Sequence, residues 1–264
     1  MPKKFKIIDD IKCYSIKSAF KNKDYPEEYF EFLYKLEDTH FWFKSRNKII
    51  THLFSKFMAG NPRVLEVGCG TGYVLKNLSN FKSYHLFGSD IHLNAIKFAK
   101  KRLSEVNFIQ LDACQSIPFK EKFDAICAFD VLEHIKDDSK VINNIFNALK
   151  SKGLFFISVP QHPFLWNNYD KVSFHKRRYK KKEIIAKLNS SGFRIKFISS
   201  FMFLLFPFMA ISRIINKQNP SSEFKISPIL NKIFENVLKI EVSLIKKGFS
   251  LPFGGSLIIV AEKS

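Results

Sequence analysis

The sequence predicts an α/β fold: a mostly parallel seven-stranded sheet with helices on both faces. Three observations predict it. From about residue 62, short apolar runs alternate with amphipathic stretches, the pattern of strands joined by crossover helices. The first apolar run leads into a glycine-rich turn at residues 68–72. The chain has 264 residues, 46% of them hydrophobic, which is enough to bury a large core and excludes disorder throughout.

The predicted elements follow in a regular order. Parallel neighbouring strands are joined by right-handed crossovers. The alternation of strands and helices along the chain therefore places helices on both faces of the sheet. Seven apolar runs predict strands at 64–67, 84–89, 106–110, 123–129, 154–159, 193–199 and 256–261. Amphipathic spacing predicts helices at 72–79, 93–103, 138–149, 181–190 and about 229–246.

The two ends of the chain differ from this regular part. Residues 1–60 contain no glycine before Gly60 and are predicted to form a helical extension or lid. Residues 61–200 are predicted to form the ligand-binding core. Residues 201–264 are predicted to form an apolar helical addition and a final antiparallel strand, with a polar linker around 216–223.

The net charge is strongly positive. Lys and Arg together number 43 against 24 Asp and Glu, which gives a formal charge of +19. This excess indicates an anionic partner, either nucleic acid or a membrane surface. The basic residues, however, are 36 lysines and only 7 arginines. Nucleic-acid readers favour arginine. Lysines at solvated surface positions, with no anionic partner, are therefore the alternative explanation of the charge.

The cysteines and the chain start favour a cytoplasmic protein. Four cysteines are scattered, with no Cys-x-x-Cys pair: Cys13, Cys69, Cys114 and Cys127. This usage favours a reducing compartment. Residues 1–14 lack the apolar segment of a signal peptide. We therefore expect a cytoplasmic location, with peripheral attachment at the inner face of the membrane as an open alternative.

An uncharged run bears on that alternative. It covers residues 197–212 and contains Pro207, so it is shorter than the roughly 20 residues of a spanning helix. Residues 201–211 are apolar on every helical face. They are predicted either to be buried, under the C-terminal helix or in a dimer contact, or to insert into a bilayer interface beside Arg213 and neighbouring lysines.

The glycine-rich turn indicates a ligand site. Glycine permits positive φ and a close approach of the backbone to a ligand, and the helix that follows offers free N–H groups. The spacing Gly-x-Gly-x-Gly differs from the Gly-x-Gly-x-x-Gly of dinucleotide folds. Glu66 lies at the end of the preceding strand. Its carboxylate would repel a phosphate but attract an amine or a ribose, so we expect a nucleoside with an amino-acid tail.

Residues 64–72 resemble motif I of the Rossmann-like, class I S-adenosylmethionine (SAM) dependent methyltransferases. Later segments match the same family in order. Asp90 ends the second strand, Asp112 ends the third, and the fourth strand is followed by Val131-Leu132-Glu133-His134-Ile135. The resemblance covers about residues 40–200 and implies an enzyme with this fold and with SAM as its cofactor.

The resemblance also implies the cofactor contacts. Asp90 would accept hydrogen bonds from both ribose hydroxyls, and Asp112 would face the adenine amino group. The full set of expected cofactor-binding residues is Glu66, Gly68, Cys69, Gly70, Asp90, Ile91, Asp112, Ala113 and Phe129.

The candidate catalytic residues are two histidines. Methyl transfer needs an aligned acceptor and exclusion of water, and a general base is needed only for a protonated acceptor such as a hydroxyl. His134 follows the fourth strand and His175 lies in the loop after the fifth. A capping or orienting role is the alternative for His134. His162 is interpreted as structural.

The same residues raise the question of a metal. Asp130-x-x-Glu133-His134 with His175 resembles the metal sites of small-RNA 2′-O-methyltransferases and of metal-assisted O-methyltransferases of ubiquinone synthesis. Here Asp130 replaces a Glu, and Leu-Glu-His also occurs in relatives that show no metal. We therefore assign no metal ligand from the sequence.

Two flanking segments are expected near the substrate. Residues 40–46 precede motif I and are predicted either to close over the cofactor or to pack the N-terminal helix on the sheet. The loop after the fifth strand is basic, with eight basic and one acidic residue over 171–187, which suits a phosphate or carboxylate. The candidate substrate-binding residues are Trp166, Arg177, Arg178 and Tyr179.

These features predict SN2 transfer of a methyl group to an oxygen of a small or lipid-linked metabolite. A possibly metal-assisted 2′-O RNA methyltransferase is the first alternative, disfavoured by the few arginines and by the absence of an Asn-Pro-Pro-Tyr-like motif after the fourth strand. A non-catalytic SAM-binding or membrane-associated protein is the second. The acceptor, the methylated element and the oligomeric state are left open.

Overall fold

The computed structural model describes residues 4–21, 25–215 and 226–264. The strands in these residues are β1 (Lys6–Ile8), β2 (Ile11–Cys13), β3 (Arg63–Val67), β4 (His85–Asp90), β5 (Asn107–Gln110), β6 (Phe123–Phe129), β7 (Leu149–Pro160), β8 (Phe193–Phe201) and β9 (Ser256–Lys263). The helices are α1 (Ile16–Lys21), α2 (Glu27–Leu36), α3 (Phe41–Phe57), α4 (Tyr73–Leu78), α5 (Leu93–Arg102), α6 (Asp138–Ala148), α7 (Asn168–Val172), α8 (Lys181–Ser190), α9 (Phe206–Ile215) and α10 (Pro228–Lys246). Short 3-10 turns cover Leu132–His134 and Pro163–Leu165.

All nine strands form one sheet in the order β1-β2-β5-β4-β3-β6-β7-β9-β8. The strands from β5 to β7 are parallel, and β9 runs antiparallel to both β7 and β8. Glu66 of β3 is in register with Gly88 of β4 and with Cys127 of β6. The carboxyl ends of these three strands therefore meet at one edge of the sheet, where ligands bind in open α/β folds.

The seven predicted strands are present, but the prediction of seven strands in total is wrong. The two additional strands form an N-terminal hairpin, β1 and β2, and β2 pairs in parallel with β5. The helical prediction for residues 1–60 is therefore wrong at its start. Asp9 and Asp10 both have positive φ, +49° and +58°, which suits a two-residue hairpin turn. Strands of three residues are too short to show a periodic pattern.

The core lies on both faces of the sheet. On one face, side chains of α3, α4, α5 and α10 pack together, and Phe54 of α3 stacks on Phe156 of β7 with ring centroids 4.0 Å apart. On the other face, α6 and α8 contribute residues such as Ile145 and Ile184. Two covered faces explain why the central strands are continuous apolar runs.

The apolar run at 201–211 is divided between β8 and α9. Phe201 and Leu205 are buried, whereas Phe208 and Ile211 are exposed. The first part of the apolar run is therefore buried and the second part has exposed apolar side chains. No helix in the described ranges is long and apolar enough to cross a membrane. The predicted linker at 216–223 falls within residues that the structure does not describe. The domain limits at residues 60 and 200 stay predictions.

Candidate active site

A cavity of about 850 Å³ opens at the carboxyl ends of β3, β4 and β6. All nine residues predicted to bind the cofactor line it. Further walls come from α2 and α3, from the chain between β7 and α8, and from α9 and α10. The cavity is therefore bounded by the strand ends and by residues from both the N-terminal and the C-terminal parts of the chain.

The glycine turn brings backbone into this cavity. Gly68 has φ +71°, and a β-carbon built on it would overlap the Val131 side chain. The backbone N–H of Cys69 donates to the carbonyl of Ser89 at 2.9 Å, which ties the turn to β4. Glycine is required at position 68 both by its conformation and by the space available.

Two carboxylates stand at the ends of β3 and β4. Asp90 is held by backbone N–H groups: Oδ2 accepts from Gly70 and Oδ1 from His92, each at 2.9 Å. Glu66 is 3% exposed. Its Oε2 has no hydrogen-bond partner among the described residues. Burial raises the pKa of Glu66 well above its usual range, opposed by the charge of Arg46.

Asp112 occupies the corresponding place after β5. Its Oδ1 accepts from the backbone N–H of Cys114 at 2.9 Å, and its Oδ2 accepts from the hydroxyl of Ser18 at 2.8 Å. Ser18 belongs to α1, so this hydrogen bond ties the N-terminal segment to the end of β5.

Arg46 of α3 is a site residue that the sequence analysis did not assign. Its guanidinium forms an ion pair with Asp130 and lies over the ring of Trp42, 4.5 Å from the centroid. Burial lowers the pKa of Arg46 to about 10, so the group remains cationic near neutral pH. A signal was present: Arg46 lies on the same helical face as the buried Phe43 and Ile50.

These residues fit a nucleoside with an amino-acid tail. Arg46 can pair with a carboxylate, and the unpartnered Oε2 of Glu66 can accept from an amine. Asp90 retains lone pairs for ribose hydroxyls. Asp112 and the neighbouring backbone can face the base.

The predicted catalytic histidines lie together. Their ring centroids are 4.7 Å apart, and ligand-type atoms of Glu133, His134 and His175 all lie within 4.8 Å of one another. Burial raises the pKa of Glu133 to about 8, and burial with the charge of His175 lowers the pKa of His134 to about 3. Asp130, which the sequence pattern groups with these residues, is not part of this cluster and pairs with Arg46 instead.

His175 is oriented by a buried carboxylate. Its Nδ1 lies 2.8 Å from Oδ1 of Asp170, a residue of α7 with 0% exposure. Burial alone would raise the pKa of Asp170. Hydrogen bonds from His175 and Arg178 and the charges of Arg178 and Arg213 instead lower it below its usual range. Asp170 is therefore ionised near neutral pH and fixes the imidazole.

The four residues predicted to contact the substrate do not lie together in the structure. Arg178 lines the cavity but is buried, with Nε 2.8 Å from Oδ1 of Asp170. Arg177 and the hydroxyl of Tyr179 both bind Asp138, at 2.8 and 2.7 Å, outside the cavity lining. Trp166 is also outside the lining. Arg177, Arg178 and Lys187 of this basic segment thus bind the buried carboxylates Asp138 and Asp170, and of its eight basic residues only Arg178 lines the cavity.

Other lining residues were not predicted. Tyr25 donates its hydroxyl hydrogen to the carbonyl of Ser173, and the same hydroxyl lies 3.3 Å from Nδ1 of His134. Tyr29 stacks on Tyr25 with centroids 4.6 Å apart. No motif or spacing singled these tyrosines out. For Asp170 a signal existed, since Asn167-x-x-Asp170 forms a capping box.

The sheet order, the glycine turn and the acids after consecutive strands define a nucleoside-binding α/β domain of the class I methyltransferase kind. A family model described as a methyltransferase domain matches residues 65–157. Residues 65–157, from β3 into β7, are therefore similar to SAM-dependent methyltransferases in sequence and fold.

Two curated relatives are O-methyltransferases by name. A malonyl-[acyl-carrier protein] O-methyltransferase of Bacillus anthracis is 30% identical over 118 residues, 44% of this chain and 44% of the relative. The mitochondrial ubiquinone biosynthesis O-methyltransferase of Dictyostelium discoideum is 28% identical over 116 residues, 39% of this chain and 36% of the relative. The chain thus spans less than half the length of these two relatives.

Solved structures share the fold. Phosphoethanolamine N-methyltransferase 2 of Haemonchus contortus, in complex with SAM, has a TM-score of 0.61 at 19% identity and covers 94% of this chain and 60% of its own. A putative methyltransferase of Bacillus halodurans has a TM-score of 0.54 at 17% identity and covers 81% of this chain and 98% of its own.

Proposed function

We propose that this protein transfers the methyl group of SAM to a hydroxyl oxygen of an amphiphilic small molecule, with His175 as the general base. The observation that carries the proposal is the 2.8 Å contact between His175 and the buried Asp170 at the cavity wall. Bound SAM supplies an electrophilic methyl carbon, and the protein has to supply alignment, exclusion of water and a proton acceptor for a hydroxyl.

Asp170 decides which nitrogen of His175 can act. An ionised carboxylate only accepts hydrogen bonds, so in the neutral imidazole Nδ1 carries the proton and Nε2 has the free lone pair. Nε2 accepts the hydroxyl proton as the acceptor oxygen is alkylated. The Asp170 carboxylate then stabilises the imidazolium that results.

His134 has a different role from His175. Its low pKa keeps it neutral, and Tyr25 lies at its Nδ1. In this proposal His134 orients the acceptor and contributes no charge. This is the orienting role that the sequence left open as an alternative for His134. Tyr25 also closes the cavity on the side of α2 and thereby helps to exclude water.

The shape of the cavity supports an amphiphilic acceptor. Its volume of about 850 Å³ is in the upper part of the range of about 300–1,000 Å³ for small-molecule sites, which leaves room for an acceptor beside the cofactor. The polar groups lie at the strand ends. The wall formed by the β8–α9 connection, α9 and α10 is mostly apolar. Its apolar residues include Met202, Leu205, Phe208, Met209, Leu230 and Phe234, and Ser212 and Arg213 lie beside them. A polar hydroxyl-bearing end and an apolar part would match these two regions.

The relatives support oxygen as the methylated element. Two of the curated proteins that the chain resembles are O-methyltransferases by name. One of the solved structures is an N-methyltransferase, so the fold alone does not favour oxygen over nitrogen. The specific argument for oxygen is the proposed base His175, which a hydroxyl acceptor needs.

The test is methylation with tritiated SAM of three fractions from the source cell: lipid extract, aqueous metabolites and RNA. We expect label in the lipid or metabolite fraction, with mass spectrometry placing the methyl group on oxygen. His175→Gln is expected to lower the rate by about 10²–10⁴. His162→Gln is the control, because His162 lies in the same loop but outside the cavity lining.

Two results would overturn the proposal. Label confined to RNA, retained in a salt-sensitive complex, would identify the RNA methyltransferase alternative instead. A methyl group on nitrogen, transferred at the same rate by His175→Gln, would remove the role of the base.

A further inference from the structure

We propose that the outer face of α9 and α10 docks on an anionic lipid bilayer. This docking face is defined by Phe208 and Ile211 of α9 and by the exposed isoleucines and lysines of α10. It is separate from the methyl-transfer chemistry, and its test requires no acceptor.

Large apolar side chains protrude from this face. Ile229 is 74% exposed, Phe208 is 65% exposed and Ile240 is 59% exposed. On α10, Ile229, Ile233 and Ile240 fall within a narrow sector of the helix, because positions separated by four and seven residues lie almost above one another. Together they form an apolar stripe on the exposed side of a 19-residue helix, interrupted by the exposed Asn236.

A basic stripe runs beside the isoleucines. Lys232, Lys239 and Lys246 are exposed and recur at seven-residue intervals on α10. The two acidic residues of α10 are both buried and partnered. Glu235 is buried and pairs with Lys44 of α3, and Glu241 is buried and accepts from the N–H groups of residues 203 and 204.

The face is continuous with the cavity. Phe208 of α9 and Leu230 of α10 both line the cavity while being more than one third exposed. They therefore stand at its opening, next to the apolar stripe. An amphiphile leaving a bilayer at this face would meet the apolar walls of the cavity first.

Charge complementarity identifies the occupant. Amphipathic helices with lysines beside exposed apolar side chains lie in the interface of anionic membranes, where each lysine contributes about 1 kcal/mol. A second copy of the chain is a poorer match, because a two-fold contact would set this lysine stripe against itself. The lysine stems can also bury beside the isoleucines while their ammonium groups reach the phosphates.

The experiment is co-sedimentation of the full chain with vesicles at physiological salt. One set of vesicles is phosphatidylcholine, and the other also contains phosphatidylglycerol. We expect binding to the second set and much weaker binding to the first. Lys232→Glu/Lys239→Glu should lower the partition coefficient on anionic vesicles at least roughly 30-fold, from about 1 kcal/mol per lysine.

The matched control for charge is Lys180→Glu/Lys182→Glu. It makes the same change in net charge at the start of α8, which packs on the opposite face of the sheet. At physiological salt the screening length is about 8 Å, so these lysines should contribute little to binding at the α10 face.

The apolar stripe is tested in parallel with uncharged substitutions. Ile229→Ser/Ile233→Ser should weaken vesicle binding, whereas Ile7→Ser/Phe20→Ser alters exposed apolar residues of β1 and α1 and should not. The proposal is overturned if wild-type protein binds neither vesicle, or if test and control pairs lose binding equally. It is equally overturned if sedimentation shows a dimer that Ile229→Ser/Ile233→Ser dissociates, without vesicle binding.

Discussion

Arg213 of α9 forms an ion pair with Asp170 of α7, with Nη1 3.2 Å from Oδ2. The other oxygen of the same carboxylate accepts from His175 and Arg178. One buried carboxylate thus holds the proposed base and also anchors the helix that carries the exposed Phe208. Asp170 therefore links α9, which carries part of the proposed docking face, to the proposed base His175.

In the proposed mechanism Asp170 acts on the reaction through His175, so we expect Asp170→Asn to lower kcat while leaving the Kd for SAM unchanged. An amide at this position can donate as well as accept, and it no longer stabilises a positively charged imidazole. The expected loss is about 10²–10⁴ in kcat. It is measured with the acceptor found by the tritium screen, and SAM affinity is measured by calorimetry.

A structural role alone would have a different signature. In that case Asp170→Asn would lower the free energy of unfolding and SAM affinity together, with kcat of the folded fraction retained. Unfolding in urea of the same preparations separates these outcomes.

Arg46 is expected to bind the carboxylate of the cofactor. Arg46→Met should raise the Kd for SAM about 10- to 100-fold, because hydrogen bonds to charged groups contribute about 1.5–3 kcal/mol. Lys56→Met changes an exposed cation of the same helix and serves as the control in the same titration. An unchanged Kd in a folded Arg46→Met protein would contradict this placement of the amino-acid tail.

Much of the fold could be predicted because the central sheet is buried on both faces. The strand predicted at 123–129 and the helix predicted at 181–190 agree with β6 and α8 to the residue. The hairpin of β1 and β2 was missed, since each strand has three residues. Local periodicity is strong in long buried elements and nearly absent in short edge strands.

The candidate site was predicted in part for a similar reason. Residues that follow buried strands, such as Asp90, are placed by the sheet, so their convergence follows from the strand order. Tyr179 is predicted to bind substrate as part of a basic loop that suits a phosphate or carboxylate, but it is fully buried and its hydroxyl donates to Asp138. Sequence shows that a loop is basic; it does not show which carboxylates those bases satisfy. The role of Asp170 depends on such long-range contacts.

Gly68→Ala is expected to destabilise the protein more than Gly60→Ala. Both glycines have positive φ, +71° and +69°, so both substitutions incur the left-handed penalty of about 1–2 kcal/mol. At Gly60 no atom lies within 4 Å of the added carbon, whereas at Gly68 the carbon overlaps Val131. The difference between their free energies of unfolding, measured in urea, isolates the steric part.

A double variant checks the cause. Gly68→Ala/Val131→Ala should recover the steric part and leave the conformational part. Equal destabilisation by the two single substitutions would show that Val131 does not limit the turn.

The stability of the ligand-free protein should depend on Glu133. Its pKa is raised from 4.5 to about 8 by burial, so the folded state favours the protonated carboxyl. This contribution to stability is fully present below pH 4.5 and is lost as the pH rises towards 8, by up to about 1.4 kcal/mol per pH unit. Glu133→Gln, which cannot ionise, should therefore gain stability relative to wild type as the pH rises.

The measurement is the difference between the free energies of unfolding of the two proteins from pH 5 to pH 8. Taking a difference cancels the opposite contribution of His134, whose lowered pKa favours folding as the pH rises towards 6.5. Glu105→Gln, at an exposed position, should show a constant difference from wild type over this range. If Glu133→Gln also shows a constant difference, the Glu133 carboxyl does not titrate between pH 5 and pH 8 in the folded protein.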